Sequence, residues 1–336
     1  MKRALAEGEG VTVAVVGTGS IGFRHLTVLQ GLPGVRILAL PRRAGRRDEL
    51  AAQGYETCGT LREAADHGVR LAIIATDPGR HEADGLQALE CGYHLLVEKP
   101  LAVDAAAARR LCRAAAAAHR QLFVGCVLRF AEALHRFRRE LGRIGSLHAV
   151  RIVCQSFLPA WRPTRPYRDS YSARAGEGGV LRDLIHEIDY AGWLFGWPTT
   201  VTARLRNVGR LGIDAEESAE VVWDLPDGGL VSLHLDYLTQ PTQRFVQASG
   251  RRGSLTWDVV ASTVTLALAD QPPQVWQSTQ TREAMVLAQD RAAVASCGGS
   301  LHPDVATGED GVRALAVCDA ARRASERRCD TLVEYP

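Results

Sequence analysis

The sequence predicts an α/β protein in two parts: an N-terminal doubly wound parallel sheet, then a C-terminal α/β domain with a mainly antiparallel, open sheet. Three observations carry this. Apolar strand patterns alternate with helical ones through the first 127 residues. A glycine-rich turn follows the first strand pattern directly. Beyond Gly196, strand patterns follow one another, and helical patterns return only near the C-terminal end.

The 336 residues suffice for two domains, and 46% hydrophobic with 23% charged residues is the composition of a soluble globular chain. A net charge of +2 argues against a nucleic-acid partner. No apolar run approaches the roughly 20 residues of a membrane span, and Met1–Gly10 lacks the apolar core of a signal peptide. Eight cysteines show no Cys-x-x-Cys spacing, and none pairs with nearby histidines as zinc ligands would, so no metal site is expected. They read as buried thiols in a reducing compartment, and the chain as cytoplasmic.

Val11–Val16 is β-branched and apolar, as a strand buried on both faces requires. It runs into Gly17-Thr18-Gly19-Ser20-Ile21-Gly22, and a helical pattern follows from Phe23 to Leu32. In such a succession the first glycine permits the tight turn and the second lets a pyrophosphate approach the backbone. The third lets helix and strand pack closely, and the helix N-terminus favours the anion. This is the Rossmann arrangement for a dinucleotide. The next strand, Val35–Leu40, ends in Pro41-Arg42-Arg43. An NAD site would place a carboxylate there for the ribose 2′-hydroxyl, whereas guanidinium pairs with a 2′-phosphate. The pattern favours NADP; NAD stays open, because arginine is frequent throughout the chain and Arg42 and Arg43 also suit a plain helix surface.

Asp48–Gly54 and Leu61–His67 read as helices, and Val69–Ala75 as the next buried strand, ending at Thr76-Asp77-Pro78-Gly79-Arg80-His81. Asp77 as N-cap and Pro78 at the first helical position account for a helix running to Cys91-Gly92. Thr76 and His81, at the mouth of the same strand edge, remain for the ligand. Tyr93–Val97 is another buried strand, closed by Glu98-Lys99-Pro100. The chain has only two lysines, Lys2 and Lys99. Arginine cannot replace lysine where a group must release a proton. A lysine at the end of a parallel strand, where α/β proteins place ligands, is therefore a proton-transfer candidate. An alanine-rich helix, Asp104–His119, and a strand, Gln121–Gly125, complete the alternation.

Arg129-Phe130 opens a linker and an amphipathic helix, Ala131–Leu141, before a strand, Ser146–Phe157. The irregular segment from Leu158 to Arg174 carries three aromatics and four arginines with no regular pattern. Aromatic faces stack on sugar C–H surfaces and arginine forks hold carboxylate or phosphate, so the segment reads as a substrate loop or a subunit contact. Gly178-Gly179-Val180-Leu181 then leads a helix to Gly196. Asp183, His186 and Asp189 recur every three residues on one face of it. A histidine flanked by acids suits a general acid/base, and equally a satisfied, partly buried core histidine. Val201–Val208, Ala219–Leu225, Gly229–Tyr237, Arg244–Ser249, Ser254–Asp258 and Thr263–Leu268 form the antiparallel sheet, with a two-residue turn at Asp227-Gly228. Its broad face suits substrate cover and oligomer contact. Thr281–Ser296 and Glu309–Arg327 read as helices and Thr331–Tyr335 as a last strand. The division expected is 1–127, 128–304 and 305–336, the last able to pack back on the first domain.

The glycine turn, Thr76 to His81, Glu98-Lys99-Pro100, and Gly178-Gly179 through His186-Glu187-Ile188-Asp189 stand in one order and spacing. In these, over nearly its whole length, the chain resembles the glucose–fructose oxidoreductase / inositol dehydrogenase / rhizopine-catabolism (Gfo/Idh/MocA) oxidoreductases. The resemblance implies an N-terminal Rossmann domain and a C-terminal open-sheet domain often used for homo-oligomers, here a dimer or tetramer. It implies that Lys99 touches nicotinamide ribose and substrate hydroxyl, and that His186 is the acid/base. Many members carry an aspartate four residues before that histidine, whereas Asp183 lies three before it, which leaves its role open. The stretch from Trp161-Arg162-Pro163 to Tyr190 also resembles a branch associated with acidic, sialic-acid-like sugars.

The expected function is an NADP-preferring oxidoreductase acting on a sugar, sugar acid or nucleotide-linked sugar, with no membrane partner. Lys99 and His186 handle the hydroxyl proton, supported by Asp183 and Asp189. Arg129, Trp161, Arg162, Arg168 and Tyr171 position substrate. Gly17–Gly22, Arg42, Arg43, Thr76, His81, Glu98 and Lys99 hold the cofactor. Two alternatives stand beside it: a lyase or glycosidase that retains its cofactor and uses a transient oxidation, and a non-catalytic dinucleotide-responsive regulator.

Overall fold

The architecture follows from where the chain alternates and where it does not. A computed structural model describes residues 10–163 and 165–335. In chain order, β1 (Val11–Val16), α1 (Ser20–Leu29), β2 (Val35–Leu40), α2 (Ala44–Ala52), α3 (Leu61–Ala64), β3 (Val69–Ile74), α4 (Pro78–Glu90), β4 (His94–Glu98), α5 (Ala105–Ala117) and β5 (Leu122–Gly125) alternate as the sequence predicts. Then come α6 (Glu132–Glu140), β6 (Leu147–Gln155), α7 (Val180–Asp183), α8 (Ile185–Phe195), β7 (Thr200–Arg206), β8 (Ser218–Asp224) and β9 (Leu230–Asp236). The chain finishes with β10 (Gln243–Gly250), β11 (Gly253–Asp258), β12 (Thr263–Leu268), β13 (Gln274–Gln277), α9 (Arg282–Ser296), β14 (Ala306–Thr307), α10 (Gly308–Arg327) and β15 (Thr331–Leu332).

Two compact units result. One draws its described residues from Met1–Ala102, Ala106–Phe130 and Thr281–Val312, the other from Val103–Ala105, Ala131–Gln280 and Arg313–Pro336. The first holds a six-stranded sheet in the order β14-β5-β4-β3-β1-β2, parallel except where β14 pairs with β5. The order reverses between β1 and β3, so the ends of β1, β2 and β3 open on one crevice, the ligand position of such sheets. Val13, Val15, Leu71, Ile73 and Leu96 are fully buried in its core. The second unit holds a nine-stranded sheet, β13-β12-β11-β10-β6-β9-β8-β7-β15, in which only β6 and β9 pair in parallel. Its strands alternate: Ala219, Val221 and Trp223 are buried while Glu220 and Asp224 are exposed.

Several expectations need correction. The helix foreseen to Gly196 is two helices, because Leu184 leaves helical geometry at φ −96°, ψ 28°. Asp183, His186 and Asp189 therefore do not share one continuous helix face. The β8–β9 loop has three residues rather than two. The Leu225 N–H donates to Gly229 O at 2.6 Å around Pro226-Asp227-Gly228, and Gly228 takes the third loop position at φ +85°. The loop from Leu158 to Ala173 contains three single 3₁₀ turns, Leu158–Ala160, Tyr167–Asp169 and Tyr171–Ala173. Finally, α9 belongs with the first unit, not with the 128–304 segment, because it packs on α1 and carries a carboxylate into that unit's core. Among the described residues no helix is long and apolar enough to cross a membrane. Cys58, Cys126, Cys154, Cys297 and Cys318 are buried.

Candidate active site

The glycine turn is built by close approach. Gly17 sits at φ +84°, and a Cβ there would lie 2.8 Å from Ala75 O. A Cβ at Gly22 would fall 1.9 Å from Gly17 O, so α1 can start this near β1 only with glycine. At Gly19 the opposite holds: a Cβ would meet nothing within 4 Å. Gly19 is the N-cap of α1 and offers no side-chain cap, so first-turn N–H groups remain for an anion. Thr18 is buried, Ile21 half-buried and Ser20 exposed. An open space over uncapped donors fits a pyrophosphate.

Behind the turn, Arg42, Thr76 and Arg80 converge on one carboxylate. Asp84 is buried in α4; Thr76 Oγ1 donates to its Oδ2 at 2.9 Å, and Arg80 Nη2 donates to its Oδ1 at 3.0 Å. Arg42 Nη1 lies 3.5 Å from the same Oδ1, with its side chain half exposed. Arg43 is exposed at the N-cap of α2. Arg80 and Asp84 escaped the sequence reading because nothing local marks a surface arginine in the first turn of a helix as facing a ligand crevice.

His81, expected on the cofactor, has both ring nitrogens against backbone carbonyls. It is buried, with Nδ1 2.8 Å from Pro100 O and Nε2 2.9 Å from Thr76 O. Burial holds its pKa below the ordinary histidine value, so the neutral ring donates to one of the two carbonyls. Its work is to tie α4 to the residue after Lys99. Glu98 is buried too. Its Oε1 lies 3.1 Å from His25 Nε2, and its Oε2 accepts the Lys99 backbone N–H at 3.3 Å. His25 Nδ1 in turn lies 2.7 Å from Asp290 Oδ2. Burial opposes charge on His25, but Asp290 and then Glu98 outweigh it and raise its pKa to about 10. Burial likewise opposes charge on Glu98, yet His25 and Lys99 hold its carboxyl below the ordinary value. Lys99 itself is half-buried and precedes a cis bond to Pro100. Arg129, expected on substrate, is buried in the same unit, with Nη1 3.4 Å from Asp310 Oδ2.

In the second unit, Asp183 is buried and its Oδ2 accepts the Tyr237 hydroxyl at 2.6 Å. Burial, then the Asp183 charge, pushes the Tyr237 phenol well above its ordinary pKa, so it stays a donor. The Trp161 ring stands edge-on to Tyr237, with centroids 5.4 Å apart. His186 is half-buried in the first turn of α8, and Asp189 is buried one turn on. Between them, Glu187 is fully buried and its Oε1 accepts from Arg244 Nε at 2.7 Å. Arg168 is committed to its own loop: its Nε donates to Leu211 O at 3.0 Å, beside the Tyr167 hydroxyl on the same oxygen. Arg162 and Trp161 are exposed and line a small cavity with Arg165 and Tyr167, and Tyr171 is half-buried nearby. Among the described residues, no group of three or more His, Cys, Asp or Glu could hold a metal ion.

The dinucleotide-type crevice and the lysine that follows the fourth parallel strand lie in a stretch that matches an oxidoreductase family. Residues 11–126 match the model of the oxidoreductase family with an NAD-binding Rossmann fold, and residues 137–256 match the GFO/IDH/MocA C-terminal domain. The rhizopine catabolism protein MocA of Rhizobium meliloti is 30% identical over 332 residues, 92% of this chain and 93% of that protein. The chain belongs to the Gfo/Idh/MocA family and is an NAD(P)-dependent oxidoreductase of CH–OH groups. An inositol 2-dehydrogenase of Rhizobium meliloti (strain 1021) is 25% identical over 95% of this chain and 98% of its own. A levoglucosan dehydrogenase solved in complex with NADH shares the fold at a TM-score of 0.86, with 18% identity, over 98% of this chain and 100% of its own.

Proposed function

We propose that the chain is an NADP-preferring oxidoreductase moving hydride between nicotinamide and a carbinol or carbonyl carbon of a sugar, sugar acid or nucleotide-linked sugar. The observation that carries the cofactor preference is the charge behind the glycine turn. Arg42 and Arg80 share the single carboxylate of Asp84, and Arg43 stands exposed after the same strand. Two guanidinium groups against one carboxylate leave a positive charge for a 2′-phosphate. The sugar class is supported by the inositol-dehydrogenase relative.

The nicotinamide ring, when bound, supplies the position that takes or gives the hydride. Lys99 donates to the substrate hydroxyl and stabilises oxygen charge as its proton leaves; His186 takes and returns that proton. Each contributes on the order of 10²–10⁴ in rate. Asp183, held by Tyr237, and Asp189 supply fixed negative charge on the elements that carry His186. Trp161 and Tyr171 offer aromatic faces to sugar C–H groups, and Arg162 pairs with an acidic substituent. The protein works in the cytoplasm as a homo-oligomer, a dimer or tetramer.

Titration of the purified protein with NADPH and NADH, followed by reduced-nicotinamide fluorescence, tests the first half. Tight NADPH and weak NADH binding is expected. The reverse order overturns the NADP preference, and binding of neither removes the dinucleotide premise. In a screen of acidic and neutral sugars, stoichiometric cofactor consumption is expected; turnover without it marks the cofactor-retaining lyase.

A further inference from the structure

The Glu98-Lys99-Pro100 tripeptide is pinned on both sides of the lysine. Pro100 O lies 2.8 Å from His81 Nδ1, and the Glu98 carboxylate spans His25 and the Lys99 backbone N–H. Lys99 follows directly on β4, so a carboxylate that fixes Glu98 and holds the Lys99 backbone N–H restricts the direction in which the Lys99 side chain leaves the chain. Room for that carboxylate is reserved: a Cβ at Gly125, the register partner of Glu98 on β5, would lie 2.5 Å from Glu98 Oε1. His25 sits three residues beyond Gly22, on the helix that starts at the glycine turn, and Asp290 comes from α9. One histidine thus joins the dinucleotide helix, the lysine strand and a late helix, with His25 and Asp290 wholly buried.

Stability alone does not call for this arrangement. Burying three ionisable groups is costly, and an apolar core of the same volume is commonly as stable or more so. What the cluster adds over an apolar core is direction, since hydrogen bonds of 2.7 and 3.1 Å on the two ring nitrogens allow one orientation.

We propose that His25, clamped between Asp290 and Glu98, sets the position of Lys99, and that His25 and Asp290 are positioning residues for the reaction though neither touches substrate. Their effect on turnover rests on the reading of Lys99 as the proton-handling group.

The chain's lysine content supplies the test. Reductive methylation with ¹³C-formaldehyde labels only Lys2, Lys99 and the terminal amine, and Lys99→Arg assigns the Lys99 signal. In the full-length Asp290→Asn protein, which keeps the side-chain shape, the Lys99 signal is expected to shift. In His25→Gln it is expected to shift further or broaden, while dinucleotide affinity stays at the wild-type value. With a polyol or sugar substrate from the screen, kcat is expected to fall on the order of 10²-fold in His25→Gln, the scale of an ångström's misplacement. Should His25→Gln not fold, Asp290→Asn decides by the same two readings. A Lys99 signal and kcat at wild-type values in a folded variant overturn the proposal. Lys99→Met is the control: if it keeps turnover, the lysine reading fails while the signal shift still reports positioning.

Discussion

Glu98 and Glu187 stand one residue from Lys99 and His186, in different units, and each is buried against a cation of a different kind. Glu98 shares its cation with a second carboxylate, and that cation is an imidazole. Glu187 has a guanidinium to itself: Arg244 Nε and Nη2 both lie 2.7 Å from Oε1, and Oε2 is buried without a hydrogen-bond partner. Guanidinium does not titrate at physiological pH, and burial beside Glu187 pushes Arg244 higher still, the Glu187 charge outweighing desolvation. The imidazolium of His25 can lose its proton. The same task, holding the neighbour of a proposed proton-handling residue, is met by a permanent tie in one unit and by a pH-dependent one in the other.

The largest expected effect falls on the residues these ties serve. Lys99→Met and His186→Ala should keep the fold by circular dichroism and each lose on the order of 10²–10⁴ in turnover. Equal, wild-type-like rates in both would end the parallel between the two units. Next comes Arg244→Met, which leaves Glu187 buried and uncompensated and should cost about 3–5 kcal/mol in urea unfolding. A loss near zero would show that water reaches Glu187.

The smaller effect separates the two ties by pH. The His25 pKa is raised in the folded protein, from 6.5 to about 10. Its stabilisation is therefore complete below pH 6.5 and lost as pH rises toward 10, at up to about 1.4 kcal/mol per pH unit. Urea midpoints measured across that window should fall in wild type, and the His25→Gln protein should show a flatter profile. The Arg244 tie should contribute no slope there. A flat wild-type profile would mean that His25 is neutral when folded.

The legible parts of this molecule were local ones. The strand-turn-helix at Gly17–Gly22 shows in the sequence because Gly17 and Gly22 answer contacts within six residues or at the neighbouring strand end, while Gly19 leaves open space. Lys99 stands out because the chain has one other lysine. The ties behind them were not legible. His25 meets partners 73 and 265 residues away, and Arg244 meets Glu187 across 57. No periodicity records such pairings, and a histidine on an apolar helix face reads as core. The break at Leu184 escaped for a related reason: a three-residue recurrence averages over a helix, while Asp183 is drawn by a tyrosine hydroxyl 54 residues on. The Arg129 partner was hidden in the same way, since Asp310 lies 181 residues on.

Because α9 supplies Asp290 to a unit that otherwise ends at Phe130, the first unit is interrupted in the gene by most of the second. During synthesis the ribosome delivers the glycine turn, Lys99 and Glu98 long before it delivers Asp290. A nascent chain halted after Phe130 has all five long parallel strands and lacks the anion that completes the cluster around His25. Completion of the His25 cluster thus waits for the polypeptide to run through most of the second unit and return, and a split of the gene at that junction would separate the histidine from its carboxylate.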